Sequence, residues 1–268
     1  MLSMILIISV LLGVLLFRAN KNTKKVAANT VKISHSKINK KILKILHLSD
    51  LHLENISISA DDLYKMIAHE KIDLIALTGD FLDRKRSIPK LTAYLQVLKK
   101  INPTYGIFAV FGNHDYILKG KNFDTLKRTL EENGCTTLQN EHVSIKVDGR
   151  NLNIIGIDDY CTNRSDVQKA FHGLEEGYNL VLTHDPNVVL EMKNVPFDYL
   201  LSGHFHGGQI HWPKPYHLAV KGKLAKMNMI KGLHYLNGKP FYISEGLGQT
   251  GINIRIGSRP EITFHEIF

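Results

Sequence analysis

Short runs of isoleucine, leucine and valine recur along the chain, and each run ends at a glycine or a polar residue. Apolar runs of this length and composition predict strands that are buried on both faces. Helical signals separate several of these runs, and strands alternating with helices predict an α/β fold. The runs occupy residues 45–49, 74–78, 107–111, 180–183 and 199–201.

Three segments carry the signals of helix starts. Ser59 and Asp62 resemble a capping box ahead of an apolar stripe. Ser87 precedes a second helix that has a proline in its first turn. Asp124 is predicted to open a third helix, which stops at Gly134.

A second group of short strands is predicted after residue 135, where the pattern of apolar residues changes. Its members are residues 143–147, 152–155, 242–244 and 261–264. Apolar residues make up 44% of the 268-residue chain, which is enough for a full core in one large α/β domain. Cys135 and Cys161 have no metal-binding spacing, so we expect free thiols.

The N-terminal segment from residue 2 to residue 17 is uncharged and almost wholly apolar. About 17 residues is the lower limit for a helix that crosses a bilayer. A signal peptide is the alternative, but no basic residue precedes the apolar run and no small-residue cleavage site follows it. The sequence therefore predicts one transmembrane anchor over residues 1–17, in the cell membrane.

The excess of positive charge lies directly after this segment. The formal net charge is +9, and because nine basic and no acidic residues precede residue 45, the remainder sums to zero. A neutral body gives no reason to expect nucleic-acid binding. Basic residues after a single span favour the cytoplasmic side and attract anionic lipids, although a merely solvated linker is the alternative. We predict a basic juxtamembrane linker over 18–44 and a catalytic domain over 45–268. The nine residues are Arg18, Lys21, Lys24, Lys25, Lys32, Lys37, Lys40, Lys41 and Lys44.

Candidate metal ligands follow five of the predicted strands. Sites in open α/β sheets form outside the carboxyl ends of the strands, so these side chains are expected to converge. Neutral imidazole and carboxylate are common ligands for transition metals. The glycines around the His204 pair let the backbone turn sharply. The segments are Asp50-x-His52, Gly79-Asp80-x-x-Asp83, Gly112-Asn113-His114-Asp115, His184 and Gly203-His204-x-His206.

This ordered set of motifs resembles the calcineurin-like metallophosphoesterases, over roughly residues 43–265. The segment from Gly203 to Gln209 and the tail from Gly246 to Glu261 are similar to a bacterial subgroup of membrane-associated phosphoesterases. That subgroup includes enzymes that hydrolyse UDP-2,3-diacylglucosamine. The resemblance implies a four-layer α/β/β/α sandwich, here preceded by the transmembrane helix.

The resemblance also implies a centre of two divalent metal ions with Asp80 as the bridging ligand. The mixed nitrogen and oxygen set favours Mn²⁺, with Fe or Zn²⁺ as alternatives. Two such ions lower the pKa of a shared water and clamp the oxygens of an in-line displacement. One ion is expected to bind Asp50, His52, Asp80 and His206, and the other Asp80, Asn113, His184 and His204.

Four further residues receive roles from the motifs. His114 is expected to donate a proton to the leaving oxygen, and Asp83 to hold its imidazole in the required tautomer. Arg84 is a candidate phosphate contact, although Lys85 stands where the protein phosphatases have glycine, which argues against that class. His211 is a candidate for the wall of the substrate pocket, although a loop residue covering the core is the alternative.

The preferred function is hydrolysis of a phosphodiester or pyrophosphate in a lipid-linked or other phosphorylated substrate at the membrane surface. A general phosphodiesterase acting on soluble nucleotides or small phosphoesters is the enzymatic alternative. A non-catalytic metal-binding scaffold is the other class, and the complete set of ligands argues against it. The substrate itself and the oligomeric state are left open by the sequence.

Overall fold

Two six-stranded sheets form the centre of the computed structural model, which describes residues 2–34, 43–211, 214–215, 218 and 221–268. The first sheet has the order β1-β12-β2-β3-β4-β5, with β12 antiparallel to β2 and the other pairs parallel. Its strands are β1 (Ala27–Ile33), β2 (Leu43–Leu48), β3 (Leu74–Thr78), β4 (Ile107–Val110), β5 (Cys135–Thr137) and β12 (Glu261–Ile267).

The second sheet has the order β10-β11-β9-β8-β7-β6, with a parallel centre and an antiparallel hairpin at each edge. The parallel strands β3, β4, β8 and β9 are buried along their whole length, as their unbroken apolar sequences predict. The strands of this sheet are β6 (Glu141–Val147), β7 (Arg150–Gly156), β8 (Tyr178–Leu182), β9 (Tyr199–Ser202), β10 (Gly232–Leu236) and β11 (Lys239–Ile243).

The two sheets pack face to face, and helices cover their outer faces. Ile45 and Val110 of the first sheet share one buried cluster with Leu180 and Leu201 of the second. Separate apolar clusters lie under the helices on each outer face. This arrangement confirms the predicted α/β architecture of two sheets with outer helices. The helices are α2 (Ala60–Ile67), α3 (Ile88–Ile101) and α4 (Lys121–Glu132) on the first sheet, and α5 (Val167–Phe171) and α6 (Lys223–Lys226) on the second.

The helix starts agree with the sequence at two of three places. Ser59 and Asp62 form the predicted capping box, and α3 carries its proline in the first turn. The third helix, α4, begins at Lys121 rather than at Asp124. Gly120 adopts a positive φ of 52° there and turns the chain into the helix, so Asp124 lies in the first turn.

The N-terminal apolar segment forms a helix, α1 (Leu2–Asn22), that ends five residues beyond the predicted span. Its most apolar 18-residue window has a mean hydropathy of 2.5 and is 6% buried, so it is long and apolar enough to cross a membrane. A signal sequence passes the same test of length and composition. The membrane anchor therefore stays a prediction.

Part of the segment predicted as a basic linker is folded. Residues 27–33 form β1, which pairs in parallel with β12 along its whole length. Every second residue of β1 faces inward, ending at the buried Ile33. This period of two is short and its inward positions include Ala27 and Asn29, which are weak signals of burial, so the sequence suggested a linker. Residues 35–42, including Lys37, Lys40 and Lys41, lie outside the described residues.

Candidate metal centre

Five of the predicted metal ligands adopt backbone conformations that are rare for residues other than glycine. Each follows the carboxyl end of a buried strand and has a positive φ, a conformation that costs roughly 1–3 kcal/mol and clusters at functional sites. With these backbone turns, the side chains converge at the edges of both sheets. The φ angles are 52° for Asp50, 38° for His52, 54° for Asp80, 75° for His204 and 51° for His206.

Asp50, His52 and His206 form one buried group whose candidate ligand atoms all lie within 4.8 Å of one another. Nε2 of His206 lies 3.3 Å from Oδ1 of Asp50, and Nε2 of His52 lies 3.9 Å from the same oxygen. Oγ1 of Thr250 is within hydrogen-bonding distance of both imidazoles, at 3.2 and 3.0 Å. This group contains three of the four ligands predicted for one ion.

A second buried group consists of Asp80, His184 and His204. Nε2 of His184 lies 3.0 Å from Oδ2 of Asp80, and Nδ1 of His204 lies 3.3 Å from Nε2 of His184. The same Asp80 oxygen is 3.5 Å from Nε2 of His52, which belongs to the first group. Asp80 therefore lies between the two groups, in the place that a bridging carboxylate requires.

Asn113, the remaining predicted ligand, presents a buried amide oxygen that has no hydrogen-bond partner among the residues that the structure describes. A buried, unpaired polar atom costs about 1–3 kcal/mol unless something else binds it. Asn113 lines the same cavity as His204. An orphaned oxygen next to a set of imidazole and carboxylate donors fits two divalent ions, although these donors are compatible with several transition metals.

Hydrogen bonding and burial set the protonation of the imidazoles. Nδ1 of His184 lies 2.7 Å from the carbonyl oxygen of Thr78, so as a donor there it leaves Nε2 facing Asp80. Burial lowers the pKa of His184, but the charge and hydrogen bond of Asp80, together with the charge of Asp50, raise it well above its ordinary value. For His204, burial and then the Lys221 cation hold the pKa well below its ordinary value. The His204 imidazole is therefore neutral, the form that binds metals.

Asp83 and His114 lie beside the first group. Nδ1 of His114 is 3.0 Å from Oδ1 of Asp83, although its N–H is not aligned with that oxygen. Burial lowers the pKa of His114, while the contact with the Asp83 carboxylate and the charge of Asp80 together raise it above its ordinary value. Glu54 accepts hydrogen bonds from the backbone N–H groups of Asp83 and Arg84, at 3.1 and 2.9 Å. The predicted proton donor and its carboxylate are therefore brought together.

The two predicted substrate contacts lie apart from the cavities at the metal groups. Arg84 is exposed, and among the described residues it does not line either cavity that opens at His204. His211 is half-buried, and its backbone N–H donates to the carbonyl of Ile256. It does not line these cavities either. A substrate role for Arg84 and His211 stays a prediction.

Asp115 is a site residue to which sequence reasoning gave no role, although it stands in the Asn113 motif. Its buried carboxylate accepts hydrogen bonds from the backbone N–H groups of Asp80, Phe81 and Gly112, at 2.8, 2.8 and 2.9 Å. Burial and the charge of Asp80 raise its pKa, and the hydrogen bonds oppose that shift. Asp115 therefore fixes the strained backbone that carries the bridging ligand.

Arg255 is the other residue that the sequence did not single out. Its guanidinium is fully buried and donates to the carbonyl oxygens of His206, Gly246 and Gly248, at 3.0, 3.0 and 2.6 Å. Burial lowers the pKa of this group to about 10. A lone arginine in a polar tail gives no signal of this role, because its partners are backbone carbonyls.

Two glycines are required by close approach to the ligands. A Cβ on Gly203 would lie 1.9 Å from Oγ of Ser49 and 2.2 Å from Oδ2 of Asp50. A Cβ on Gly112 would lie 2.2 Å from Oδ1 of Asp80. Because side chains at these positions would displace the carboxylates, the glycines of both motifs are part of the site.

Comparison with known proteins agrees with this geometry. The sequence profile of the family described as calcineurin-like phosphoesterase matches residues 43–208. The chain is 65% identical over 254 residues to the uncharacterized metallophosphoesterase YkoQ of Bacillus subtilis (strain 168), an alignment that covers 94% of each chain. It is 30% identical over 230 residues to the phosphodiesterase YaeI of Escherichia coli (strain K12), covering 84% of this chain and 82% of YaeI.

A solved structure shares the fold. The crystal structure of TT1561 of Thermus thermophilus superposes with a TM-score of 0.50 and 13% sequence identity, covering 77% of this chain and 91% of TT1561. This likeness concerns the fold alone. The family match and the relatives confirm the prediction of a phosphoesterase. The chain belongs to the calcineurin-like phosphoesterase family.

Proposed function

We propose that this protein hydrolyses a phosphodiester or pyrophosphate bond at a centre of two divalent metal ions, in a substrate that lies at a membrane surface. The observation that carries the hydrolytic part is the position of Asp80 between the two ligand groups. Oδ2 of this carboxylate lies 3.0 Å from His184 and 3.5 Å from His52. A shared carboxylate is what a two-ion centre for in-line displacement needs.

Each predicted site residue then has a role in binding metal or transferring a proton. Asp50, His52 and His206 would hold one ion, Asn113, His184 and His204 would hold the other, and Asp80 would serve as a ligand of both. Bound divalent ions supply an acidified water and neutralise charge on the phosphate. His114 would give a proton to the departing oxygen, and Asp83 would keep the imidazole oriented for that transfer. Mn²⁺ is our preferred ion, with Fe or Zn²⁺ as alternatives.

The membrane part of the proposal is supported by the way α1 meets the domain. The backbone N–H of Arg255 donates to the carbonyl of Ala19, at 2.9 Å. The side chain of Asn20 donates to the carbonyl of Asn253, at 2.8 Å. The segment from Thr250 to Arg255 thus contacts both the end of the apolar helix and the imidazoles of the first metal group. If α1 spans a bilayer, with the domain in the cytoplasm, the site is close to the membrane surface.

The names of the relatives indicate the type of bond that is cleaved but not whether the substrate contains a lipid. YaeI is named a phosphodiesterase, which favours a diester as the substrate of this chain. A phosphodiesterase acting on soluble nucleotides or small esters is therefore the second candidate function. A lipid-linked sugar nucleotide is the more specific form of our proposal, and it rests on the resemblance of the Gly203–Gln209 segment.

Hydrolysis of bis-p-nitrophenyl phosphate tests the chemical part. The full chain is stripped of metal in detergent and titrated with Mn²⁺, Zn²⁺, Fe²⁺ and Mg²⁺. We expect turnover to return with metal and to fall at least about 10²-fold in Asp80→Ala, because one carboxylate serves both ions. Asp61→Ala, an exposed carboxylate on α2, is the matched control. Metal binding without turnover of any phosphoester would contradict the proposal and favour a scaffold.

Membrane fractionation tests the placement of the site. An arginine near the middle of α1, in Leu11→Arg, costs about 2.5–3.5 kcal/mol of insertion free energy. We expect this variant to leave the membrane fraction, whereas Met66→Arg on the exposed side of α2 stays there. Removal of the N-terminus from the mature protein would identify a signal sequence and overturn the anchor.

A further inference from the structure

Two cavities open at the metal groups and meet at His204 and Lys221, both of which line each of them. The larger has a volume of about 570 Å³ and the smaller about 350 Å³. The site is therefore forked: one path leads from the metal groups toward α6, and the other leads toward the segment from Thr250 to Ile252.

Most of the residues that line the larger cavity carry polar side chains. Asn163, Asp185, Asn187 and Glu191 contribute carboxylates and amides, and Asn113 joins them at the inner end. Groups of this kind donate and accept hydrogen bonds in fixed directions. This cavity is suited to a substituent that is rich in hydroxyl or amide groups.

The walls of the smaller cavity are mainly apolar. Phe205 and Leu218 are buried at its base, Ile210 is half-buried, and Ile252 is 66% exposed at its rim. An isoleucine this exposed gains free energy when an apolar ligand covers it. Asn253 follows directly and accepts a hydrogen bond from Asn20 at the end of α1. The apolar cavity therefore opens beside the apolar helix.

Lys221 is held in place where the cavities meet. Its carbonyl accepts a hydrogen bond from Nδ2 of Asn187, at 2.9 Å, and Oδ1 of Asp185 accepts from the same amide, at 2.7 Å. A Cβ on Gly222 would lie 2.5 Å from Oδ1 of Asn187, so this close packing requires the glycine. The backbone of Lys221 is thus fixed to a segment that closely follows the candidate ligand His184.

We propose that the forked site binds an asymmetric phosphodiester, with the phosphate at Lys221, a hydrocarbon chain in the smaller cavity and a polar substituent in the larger. This inference rests on the proposed function and names the class of its substrate. In the reaction, the oxygen of water bonds to phosphorus and one P–O ester bond breaks. The departing substituent takes a proton and leaves as an alcohol, and the other remains as a phosphomonoester. An ammonium group is a suitable partner for the phosphate charge throughout.

The test compares two p-nitrophenyl phosphodiesters whose second substituent is methyl or dodecyl. The full chain is embedded in nanodiscs, so that partition of the dodecyl ester is the same for every variant. We expect Ile252→Ser to lower the ratio of kcat/KM for dodecyl over methyl about fivefold. Met66→Ser, which removes an exposed apolar side chain from α2, should leave the ratio as in the wild type.

Lys221→Met tests the place where the cavities meet. Loss of the ammonium should raise KM for both esters about tenfold, because both carry the same phosphate charge. Lys226→Met, an exposed lysine on α6, is the matched control. An unchanged KM in Lys221→Met, or an unchanged ratio in Ile252→Ser, would overturn the forked site.

Binding without turnover separates this inference from the proposed function. Calorimetry of the metal-loaded chain measures the affinity for methyl phosphate and for dodecyl phosphate. The difference between the two affinities reports binding of the hydrocarbon chain in the smaller cavity. Tighter binding of dodecyl phosphate that is lost in Ile252→Ser supports the fork even if no ester is hydrolysed. Equal binding of the two phosphates overturns it, even if bis-p-nitrophenyl phosphate is a good substrate.

Discussion

Oδ1 of Asp83 lies 3.0 Å from Nδ1 of His114, and the centroid of the His114 ring lies 4.7 Å from that of His52 in the first metal group. This pairing suits a proton donor, since the carboxylate favours the charged imidazole. We expect His114→Ala to lower kcat about 10²- to 10⁴-fold for a diester with an alkyl alcohol as leaving group.

The size of that loss should depend on the leaving group. p-Nitrophenolate departs without a proton, so the same variant should lose much less activity on bis-p-nitrophenyl phosphate. Kinetics with both substrates, together with metal content measured by mass spectrometry, check this. Equal losses on both substrates with full metal content would contradict proton donation. They would indicate that His114 stabilises the negative charge of the transition state without giving up a proton.

Asp115 supports the metal centre through the backbone. It accepts hydrogen bonds from the N–H groups of Asp80 and Gly112, which carry or adjoin the bridging ligand. Asp115→Asn replaces one acceptor oxygen by a donor, so either Asp80 and Gly112, which donate to Oδ2, or Phe81, which donates to Oδ1, lose their acceptor. We expect the dissociation constant for metal to rise about 10- to 100-fold, as for other groups that orient ligands. Competition with a fluorescent chelator measures it, and the exposed Asp124→Asn is the control.

Arg255 connects the loop of His206 to the loop of Gly246 and Gly248. Arg255→Met keeps much of the side-chain volume but leaves several buried carbonyls without a donor. We expect a loss of at least about 3 kcal/mol in the free energy of unfolding, since each buried unpaired group costs about 1–3 kcal/mol. Thermal and urea unfolding measure the loss. Arg259→Met, at an exposed position in the same tail, should change stability by less than about 0.5 kcal/mol.

The strands and the ligand groups could be predicted because their signals are local. β3 and β4 are unbroken apolar runs, and each ends at a residue of the site, so the sequence indicates both the strand and the place where its side chains converge. The strand β1 was missed because its inward residues include Ala27 and Asn29, which are weak signals of burial. Its partner in the sheet, β12, is more than 200 residues away in the chain.

The support of the site could not be predicted because it is made by contacts between distant segments. Arg255 reaches His206 across 49 residues, and Asp80 receives its backbone support from Asp115 across 35. A side chain that binds backbone leaves no complementary residue in the sequence to match it. The same holds for Lys221, whose position depends on Asn187.

A buried pair of histidines behind the metal centre predicts acid sensitivity of the fold. Nε2 of His47 is 2.8 Å from Oγ1 of Thr78, and Nδ1 of His47 is 3.4 Å from Nε2 of His265. Burial lowers the pKa of His47 from 6.5 to about 3. Burial and then the neighbouring His47 lower the pKa of His265 as well. Both rings are therefore neutral in the folded protein at neutral pH.

The sign of the pH dependence follows from these shifts. Below pH 6.5 the unfolded chain binds a proton at His47 that the folded protein does not bind until about pH 3. Stability from this residue is therefore complete above pH 6.5 and is lost as the pH falls. Between about pH 6.5 and 5.5 the loss is about 1 kcal/mol for one histidine.

His47→Gln removes this titration and keeps a hydrogen-bonding group next to Thr78. We expect the metal-stripped wild type to lose about 1 kcal/mol more free energy of unfolding than the variant between about pH 6.5 and 5.5. Urea unfolding followed by circular dichroism, in one detergent throughout, measures the difference. His69→Gln, which changes an exposed histidine on the surface, should follow the wild type. Equal losses in wild type and His47→Gln would mean that the buried pair accepts a proton without unfolding.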